Sequence, residues 1–266
     1  MPAERGLNAG RPVVFRSALV TTVLAVIATV LGAALIPAAG TAARVPAPTD
    51  RVRSPAVGAL FTTQSGHLAS HFCSASVVDS PSGDLVLTAA HCMAGRSGSP
   101  VVFVPGYSHG KAPFGIWTVT RVIADSSWQS AADPDDDFAF LAVGRAGSSA
   151  RLQDLTGAEA VGVEVPAGQV VTVTGYPSDL DQPISCAGNA ISFSSTQLEF
   201  ACDGYTDGTS GAPFLAGVLS PGGPGLVIGV IGGYEQGGLT PSVSYAARFG
   251  QNMAELYQTA VAETRS

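Results

Sequence analysis

The sequence predicts an all-β protein, built as a sandwich or as a pair of barrels. Valine-rich runs of strand length recur between turn signals, with no long helical pattern between them. The 32 glycines and 18 prolines follow no three-residue period, so they favour many tight turns and exclude collagen. Hydrophobic residues make up 46% of the chain and charged residues 12%, which excludes a disordered polyelectrolyte.

The predicted strands fall into two groups, joined by a stretch that contains several glycines and serines at residues 144–157. The first group covers residues 56–62, 72–78, 84–88, 101–104, 116–123 and 138–143. The second group covers residues 169–174, 197–201, 212–215, 226–231 and 242–246. One helix is predicted at the C-terminus, because apolar side chains recur there at helical spacing: Phe249, Met253, Leu256 and Ala260.

The N-terminus has the pattern of an export signal. An apolar stretch at residues 18–36 follows three basic residues, Arg5, Arg11 and Arg16. Small residues suited to cleavage by signal peptidase come directly after the stretch. A retained membrane anchor is the alternative, but the stretch is rich in alanine and barely long enough to cross a bilayer. We expect residues 1–43 to be a cleaved signal peptide and the protein to be secreted and extracellular, with no stable membrane association afterwards.

The rest of the chain is expected to be one functional domain. Residues 44–55 contain three prolines and three arginines, which predicts a linker or a short pro-segment before a domain of residues 56–266. The formal net charge is −7 and Lys111 is the only lysine, so nucleic acid is excluded as a partner because phosphate neutralisation needs clustered cations.

Four cysteines in an exported chain predict disulfide bonds. Three pairings are possible, and the gaps of 19 and 16 residues favour two local bridges, Cys73–Cys92 and Cys186–Cys202. A zinc site is the alternative, but the chain has no Cys-x-x-Cys, and the nearby histidines lack the usual ligand spacing. We expect no metal and no cofactor.

Three short segments supply the groups that nucleophilic catalysis needs. Residues 87–92 (Leu-Thr-Ala-Ala-His-Cys) place His91 just after an apolar strand, and residues 207–213 (Asp-Gly-Thr-Ser-Gly-Ala-Pro) place Ser210 in a glycine turn. Asp137 stands at the start of another apolar strand. A serine hydroxyl needs an imidazole to accept its proton, and the imidazole needs a buried carboxylate to fix its tautomer.

Asp137 is preferred over Asp136 as this carboxylate because it adjoins the apolar strand. A calcium loop starting at Asp133 lacks the required glycine and glutamate.

These segments resemble those of the trypsin- and chymotrypsin-like serine proteases. Gly175-Tyr176-Pro177 resembles a segment of the secreted bacterial branch related to glutamyl endopeptidases. The resemblance covers about residues 56–262 and implies two antiparallel six-stranded β-barrels, a C-terminal helix, polypeptide substrates and a monomer. It also implies that His91 is the base, Asp137 the orienting acid and Ser210 the nucleophile. Gly208 and Ser210 would donate the oxyanion-hole N–H groups.

Two alternatives to a serine endopeptidase are considered. A catalytically inactive homologue could act as a binding module, although His91, Asp137 and Ser210 are all present. An esterase of the α/β-hydrolase fold is disfavoured, because its elbow needs Gly-x-Ser-x-Gly and its histidine follows the serine.

The resemblance also places a substrate pocket, at Gly204, Tyr205, Gly232, Gly233 and Tyr234. Trypsin-like cleavage needs a carboxylate at the pocket floor, and that position is Gly204, although Asp203 and Asp207 are near. Glutamyl endopeptidases use a histidine from the strand after the nucleophile, but no histidine follows His109. We therefore expect cleavage after an uncharged residue.

Animal members also carry an aspartate directly before the nucleophile, where this chain has Thr209, so we expect activity to tolerate variation of the mature N-terminus.

Overall fold

The strands form two sheets, each drawn from one half of the chain. The computed structural model describes residues 45–49, 54–96 and 100–265, which all belong to one compact unit. The predicted all-β class with a C-terminal helix is confirmed. The predicted signal peptide, residues 1–43, lies outside the described residues.

The first sheet closes into a six-stranded antiparallel barrel. Its strands are arranged in the order β1-β2-β3-β6-β5-β4. Their bounds are β1 Val57–Gln64, β2 His67–Val78, β3 Leu85–Thr88, β4 Val101–Pro105, β5 Trp117–Ala124 and β6 Ala139–Gly144. Large apolar side chains fill the barrel, because alternate residues of each strand point to the same face. Leu60, Leu87, Phe103, Trp117 and Phe140 are all at most 1% exposed.

The second sheet has seven strands instead of the expected six-stranded barrel. Its order is β13-β10-β9-β8-β11-β12-β7, and the two-residue strand β7 pairs with β12 in the parallel direction. The bounds are β7 Ala160–Val161, β8 Gln169–Gly175, β9 Ile184–Ser192, β10 Gln197–Ala201, β11 Pro213–Ala216, β12 Leu226–Val230 and β13 Val243–Ala247. Sequence analysis did not predict β7 or β9. The first is too short to leave a pattern, and the second contains Gly188 and Asn189, which are typical of turns.

In the described part of the chain, three α-helices accompany the sheets: α1 Ser126–Ala131, α2 Leu152–Thr156 and α3 Gln251–Glu263. The predicted C-terminal helix corresponds to α3, and its face of Met253, Leu256 and Ala260 is buried. The ring of Tyr257 lies 5.7 Å from that of Phe140 in β6, so α3 covers the first barrel. Within residues 45–49, 54–96 and 100–265, no helix has the length and apolar character needed to cross a membrane.

The segment expected to be a linker is partly anchored to the second sheet. Thr49 and Ser185 exchange two backbone hydrogen bonds of 2.7 and 2.9 Å, as neighbouring strands do. The carbonyl oxygen of Pro46 accepts a hydrogen bond of 3.0 Å from the backbone N–H of Asp203. Residues 45–49 therefore run along the edge of the second half, beside the loop that leads to Ser210.

Candidate active site

His91 lies in a 3-10 turn directly after β3. The turn spans Ala90–Met93, and a disulfide between Cys73 and Cys92 joins it to β2. The His91 side chain is 13% exposed, so it is shielded on most sides but reachable from solvent. The apolar strand and the disulfide together fix the backbone from which this imidazole projects.

Asp137 binds His91 through both carboxylate oxygens. Its Oδ2 lies 2.7 Å from His91 Nδ1, and its Oδ1 accepts the backbone N–H of His91 at 2.9 Å. Oδ2 also accepts the backbone N–H of Gly233 at 2.8 Å, and the Asp137 side chain is fully buried. Because a carboxylate accepts hydrogen bonds, this contact favours the tautomer with the proton on Nδ1 and with Nε2 as the acceptor.

Asp136 has a different partner. Its carboxylate accepts a hydrogen bond from Asn252 Nδ2 in the first turn of α3. Burial raises the pKa of Asp136, and the neighbouring carboxylates of Asp125, Asp133 and Asp135 add to the shift. The structure thus brings Asp137, and not Asp136, to the imidazole.

Ser210 lies in a turn whose shape depends on two glycines with left-handed backbone conformations. Gly208 has a φ of 92° and Gly211 a φ of 84°. A Cβ on residue 211 would lie 2.2 Å from the carbonyl oxygen of Ser74 and 3.1 Å from the backbone nitrogen of Ala89. Only glycine allows this close approach, which sets the serine turn against the backbone two residues before His91.

Two backbone N–H groups of the serine turn lack a partner among the described residues. Thr209 N–H donates to Thr206 O at 3.1 Å and Gly211 N–H donates to Ile231 O at 2.7 Å. Within the described part of the chain, the N–H groups of Gly208 and Ser210 have no hydrogen-bond partner. Free N–H groups on alternate residues of a turn match what an oxyanion hole requires.

Ser74 on β2 holds this turn in place, and sequence analysis did not identify it. Its hydroxyl donates to Gly208 O at 2.9 Å and accepts from the Tyr176 N–H at 2.9 Å. Its backbone N–H donates to Ser210 O at 2.7 Å. Nothing in the sequence around Ser74 marks it, because all three contacts join residues more than 100 positions apart.

A cleft of about 440 Å³ opens beside Ser210. Its other lining residues are Ser178, Asp179, Tyr205, Thr206, Asp207, Thr209, Ile231, Gln236, Gly237, Gly238, Leu239, Thr240 and Pro241. Among these residues the only charged side chains are the exposed carboxylates of Asp179 and Asp207. The hydroxyl of buried Tyr205 donates to Val173 O at 2.7 Å, and burial raises its pKa, so the phenol stays neutral.

Of the five residues predicted to form the substrate pocket, only Tyr205 lines this cleft. Gly204 faces the N-terminal segment, since a Cβ there would lie 3.4 Å from Pro48. Gly232 and Gly233 lie against the carboxylate of Asp137. Tyr234 packs against Phe193, with ring centroids 4.9 Å apart. The segment 236–241 lines the cleft and carries no recognisable motif, so sequence analysis missed it.

The cysteines form the two local bridges, Cys73–Cys92 and Cys186–Cys202. The second joins β9 to the residue after β10, just before the loop that leads to Ser210. His91 lies close to the sulfurs of Cys73 and Cys92, but oxidised sulfurs lack the thiolate charge that binds metals.

The fold and the matching sequence define a trypsin-like peptidase. The profile of the trypsin-like peptidase domain matches residues 70–217, more than half of the chain, so the chain belongs to this family. The family and its structural relatives make it a serine peptidase, a hydrolase of peptide bonds. No curated protein matches the chain significantly.

Solved structures of bacterial proteases are similar to this chain. The protease Anisep from Arthrobacter nicotinovorans is 27% identical with a TM-score of 0.68, over 81% of this chain and 99% of that one. The thermostable serine protease AL20 from an extremophilic microorganism is also 27% identical, with a TM-score of 0.66, over 79% of this chain and 98% of that one. A Glu endopeptidase shares the fold at 15% identity, with a TM-score of 0.64, over 82% of this chain and 97% of that one.

Proposed function

We propose that the protein is an exported serine endopeptidase whose catalytic triad is His91, Asp137 and Ser210. The observation that carries the proposal is the 2.7 Å contact between His91 Nδ1 and the fully buried Asp137 carboxylate. This contact leaves Nε2 to accept a proton, and the serine turn lies against the His91 segment. Export follows from the N-terminal signal pattern, and two disulfides are consistent with an oxidising compartment.

In the proposed mechanism, Ser210 Oγ attacks the carbonyl carbon of the scissile bond while its proton passes to His91 Nε2. The free N–H groups of Gly208 and Ser210 bind the oxyanion of the tetrahedral intermediate. The C–N bond breaks as His91 returns the proton to the leaving amine, which leaves an acyl-enzyme on Ser210. Water, deprotonated by His91, then attacks the acyl carbon. The ester C–O bond breaks as His91 returns the proton to Ser210 Oγ, which releases the acid product. Asp137 orients the imidazole and stabilises the imidazolium in both steps.

The lining of the cleft supports an uncharged residue on the acyl side of the scissile bond. Ile231, Leu239 and Thr209 are uncharged, and the two lining carboxylates, Asp179 and Asp207, are exposed to solvent. An acidic substrate side chain would meet these carboxylates and no cation of the lining. A basic side chain would find no buried carboxylate among the lining residues.

Kinetics of two substitutions test the triad. Ser210→Ala and His91→Ala should each lower kcat by about 10⁴- to 10⁶-fold, because triad residues act as a unit. Both variants should stay folded, since neither opens a large cavity. A purified Ser210→Ala protein that keeps more than about a tenth of wild-type activity would reject the assignment and favour another nucleophile. A folded wild-type protein with no peptidase activity would favour the inactive homologue instead.

A further inference from the structure

We infer that Gln197, on β10, is a positioning residue for the proposed catalytic carboxylate of Asp137. The inference rests on the proposed function. It starts from an amide side chain that is only 4% exposed and bridges two separate segments of the chain. Each of these segments holds Asp137 from a different direction.

The amide nitrogen of Gln197 holds the turn before Asp137. Nε2 donates to the carbonyl oxygen of Pro134 at 3.1 Å and to Asp135 Oδ1 at 2.6 Å. Both acceptors belong to the 3-10 turn Pro134–Asp136, whose next residue is Asp137. The position of this turn therefore sets where the Asp137 side chain enters the site.

The amide oxygen of Gln197 holds the segment on the other side. Oε1 accepts the backbone N–H of Tyr234 at 3.1 Å. The preceding residue is Gly233, whose own N–H donates to Asp137 Oδ2. A Cβ on Gly233 would lie only 2.4 Å from Oε1, so this glycine packs directly against the amide.

One amide group thus fixes the distance between the carboxylate and its backbone donor. Among the described residues, Gln197 makes no hydrogen bond to the imidazole and is not part of the cleft lining, so it acts through Asp137 and Gly233. Without it, polar groups of both segments lose their partner, and the His91–Asp137–Gly233 contacts can shift. Displacing a catalytic group by about 1 Å can cost about 100-fold in rate.

The test compares two glutamines that make similar contacts. Gln153 in α2 also bridges two groups: it accepts the Ser80 N–H at 3.1 Å and donates to Asp79 Oδ1 at 2.6 Å. None of these three residues lines the cleft. Methionine has a similar size but offers neither an amide donor nor an amide acceptor. Gln197→Met should lower kcat by about 10- to 100-fold with KM within about twofold. The reason is that a displaced Asp137 would stabilise the imidazolium of the transition state less, while substrate binding would not change. Gln153→Met should change neither constant.

A second readout follows the geometry itself. In the Ser210→Ala protein, which cannot digest itself, the His91 Nδ1 proton bound to Asp137 should give a downfield proton resonance. Gln197→Met in that background should shift or broaden this resonance, and Gln153→Met should leave it unchanged. Gln197→Asn keeps an amide in the buried site, but its side chain is one methylene too short to bridge the two segments. It should change the resonance in the same way. This variant provides the test if Gln197→Met does not fold.

The outcomes separate this inference from the proposed function. A folded Gln197→Met or Gln197→Asn protein with kcat within twofold of wild type, or with an unchanged resonance, would overturn the positioning role. An inactive wild-type protein would instead count against the proposed function, while the resonance would still report on Gln197.

Discussion

Gly233 donates its backbone N–H to Oδ2 of Asp137 over 2.8 Å, and the same oxygen contacts the imidazole of His91. Gly232, one residue earlier, lies so close that a Cβ there would stand 2.9 Å from Oδ2 and 3.2 Å from the Ala89 side chain. This pair of glycines therefore forms the wall that encloses the carboxylate. Their place in the site is to hold the proposed triad acid, not to line the cleft.

Gly232→Ala should weaken the site by crowding Asp137. The backbone of Gly232 is not in the left-handed region, so the effect would be steric. The new methyl group would push on Oδ2 or on the Ala89 segment that carries His91. Overpacking of this kind typically costs about 1–3 kcal/mol, and we expect kcat/KM to fall by about tenfold or more. Steady-state kinetics and thermal unfolding measure both effects.

The matched control is Gly144→Ala at the end of β6. Its Cβ would meet only Thr120 Cγ2, at an ordinary 3.8 Å, so activity should stay near wild type. Equal kcat/KM for Gly232→Ala and Gly144→Ala would show that residue 232 does not constrain the carboxylate.

Cleavage of a complex peptide mixture should reveal the charge preference of the cleft. We expect most cuts after uncharged residues and the fewest after Glu or Asp, because the cleft lining offers carboxylates but no cation. Mass spectrometry of the products gives the cleavage sites. The double variant Asp179→Asn, Asp207→Asn should raise kcat/KM for peptides with an acidic residue. Wild-type cuts mainly after Glu, or mainly after Arg and Lys, would contradict this account of the cleft.

Removal of residues 44–55 should destabilise the protein near the cleft. The absence of an aspartate before Ser210 predicts tolerance of N-terminal variation, but the contacts of Pro46 and Thr49 lead us to expect dependence on this segment. A chain starting at Ala56 loses three backbone hydrogen bonds of residues 46 and 49, worth about 1.5–4.5 kcal/mol together. Compared with a chain starting at Arg44, it should unfold at lower temperature and show a higher KM. Identical melting curves and KM values would reject the role of residues 45–49.

Glu159 should make stability fall as pH rises. Its carboxylate is fully buried, accepts hydrogen bonds from Gly225 N–H and Ser54 Oγ, and has a pKa that burial raises above the ordinary 4.5. The unfolded chain loses this proton first. Between the unfolded and the folded pKa the folded state binds more protons, so its stability declines through that window.

Glu159→Gln should remove this decline. Its amide can keep both contacts, with the oxygen toward Gly225 and the nitrogen toward Ser54. Urea unfolding from pH 4 upward compares the inactive Ser210→Ala protein with the same protein carrying Glu159→Gln. As pH rises, the unfolding free energy of the protein with Glu159→Gln should increase relative to that of the protein that keeps Glu159. Exposed Glu255 provides the control, Glu255→Gln. A difference that stays constant with pH would contradict the assigned shift.

The fold class and the contact between His91 and Asp137 could be predicted because their signals are local. Strand β3 followed by His91, and Asp137 followed by β6, each combine an apolar run with one polar residue at its end. The surroundings of the Asp137 carboxylate could not be predicted in this way. Gly232 and Gly233 lie at the end of an apolar strand, and the sequence does not tell whether they face substrate or Asp137. Gln197 and Ser74 act through contacts with residues far away in the chain, so no local pattern marks them.

The most direct test of the proposed triad is covalent labelling of the nucleophile. A fluorophosphonate probe should react once per chain, and peptide mapping should place the adduct on Ser210, because we expect this serine to combine a neighbouring imidazole with two free N–H groups. His91→Ala should abolish the labelling at equal probe concentration while the protein stays folded. An adduct on another serine, or equal labelling of the wild-type and His91→Ala proteins, would contradict the account.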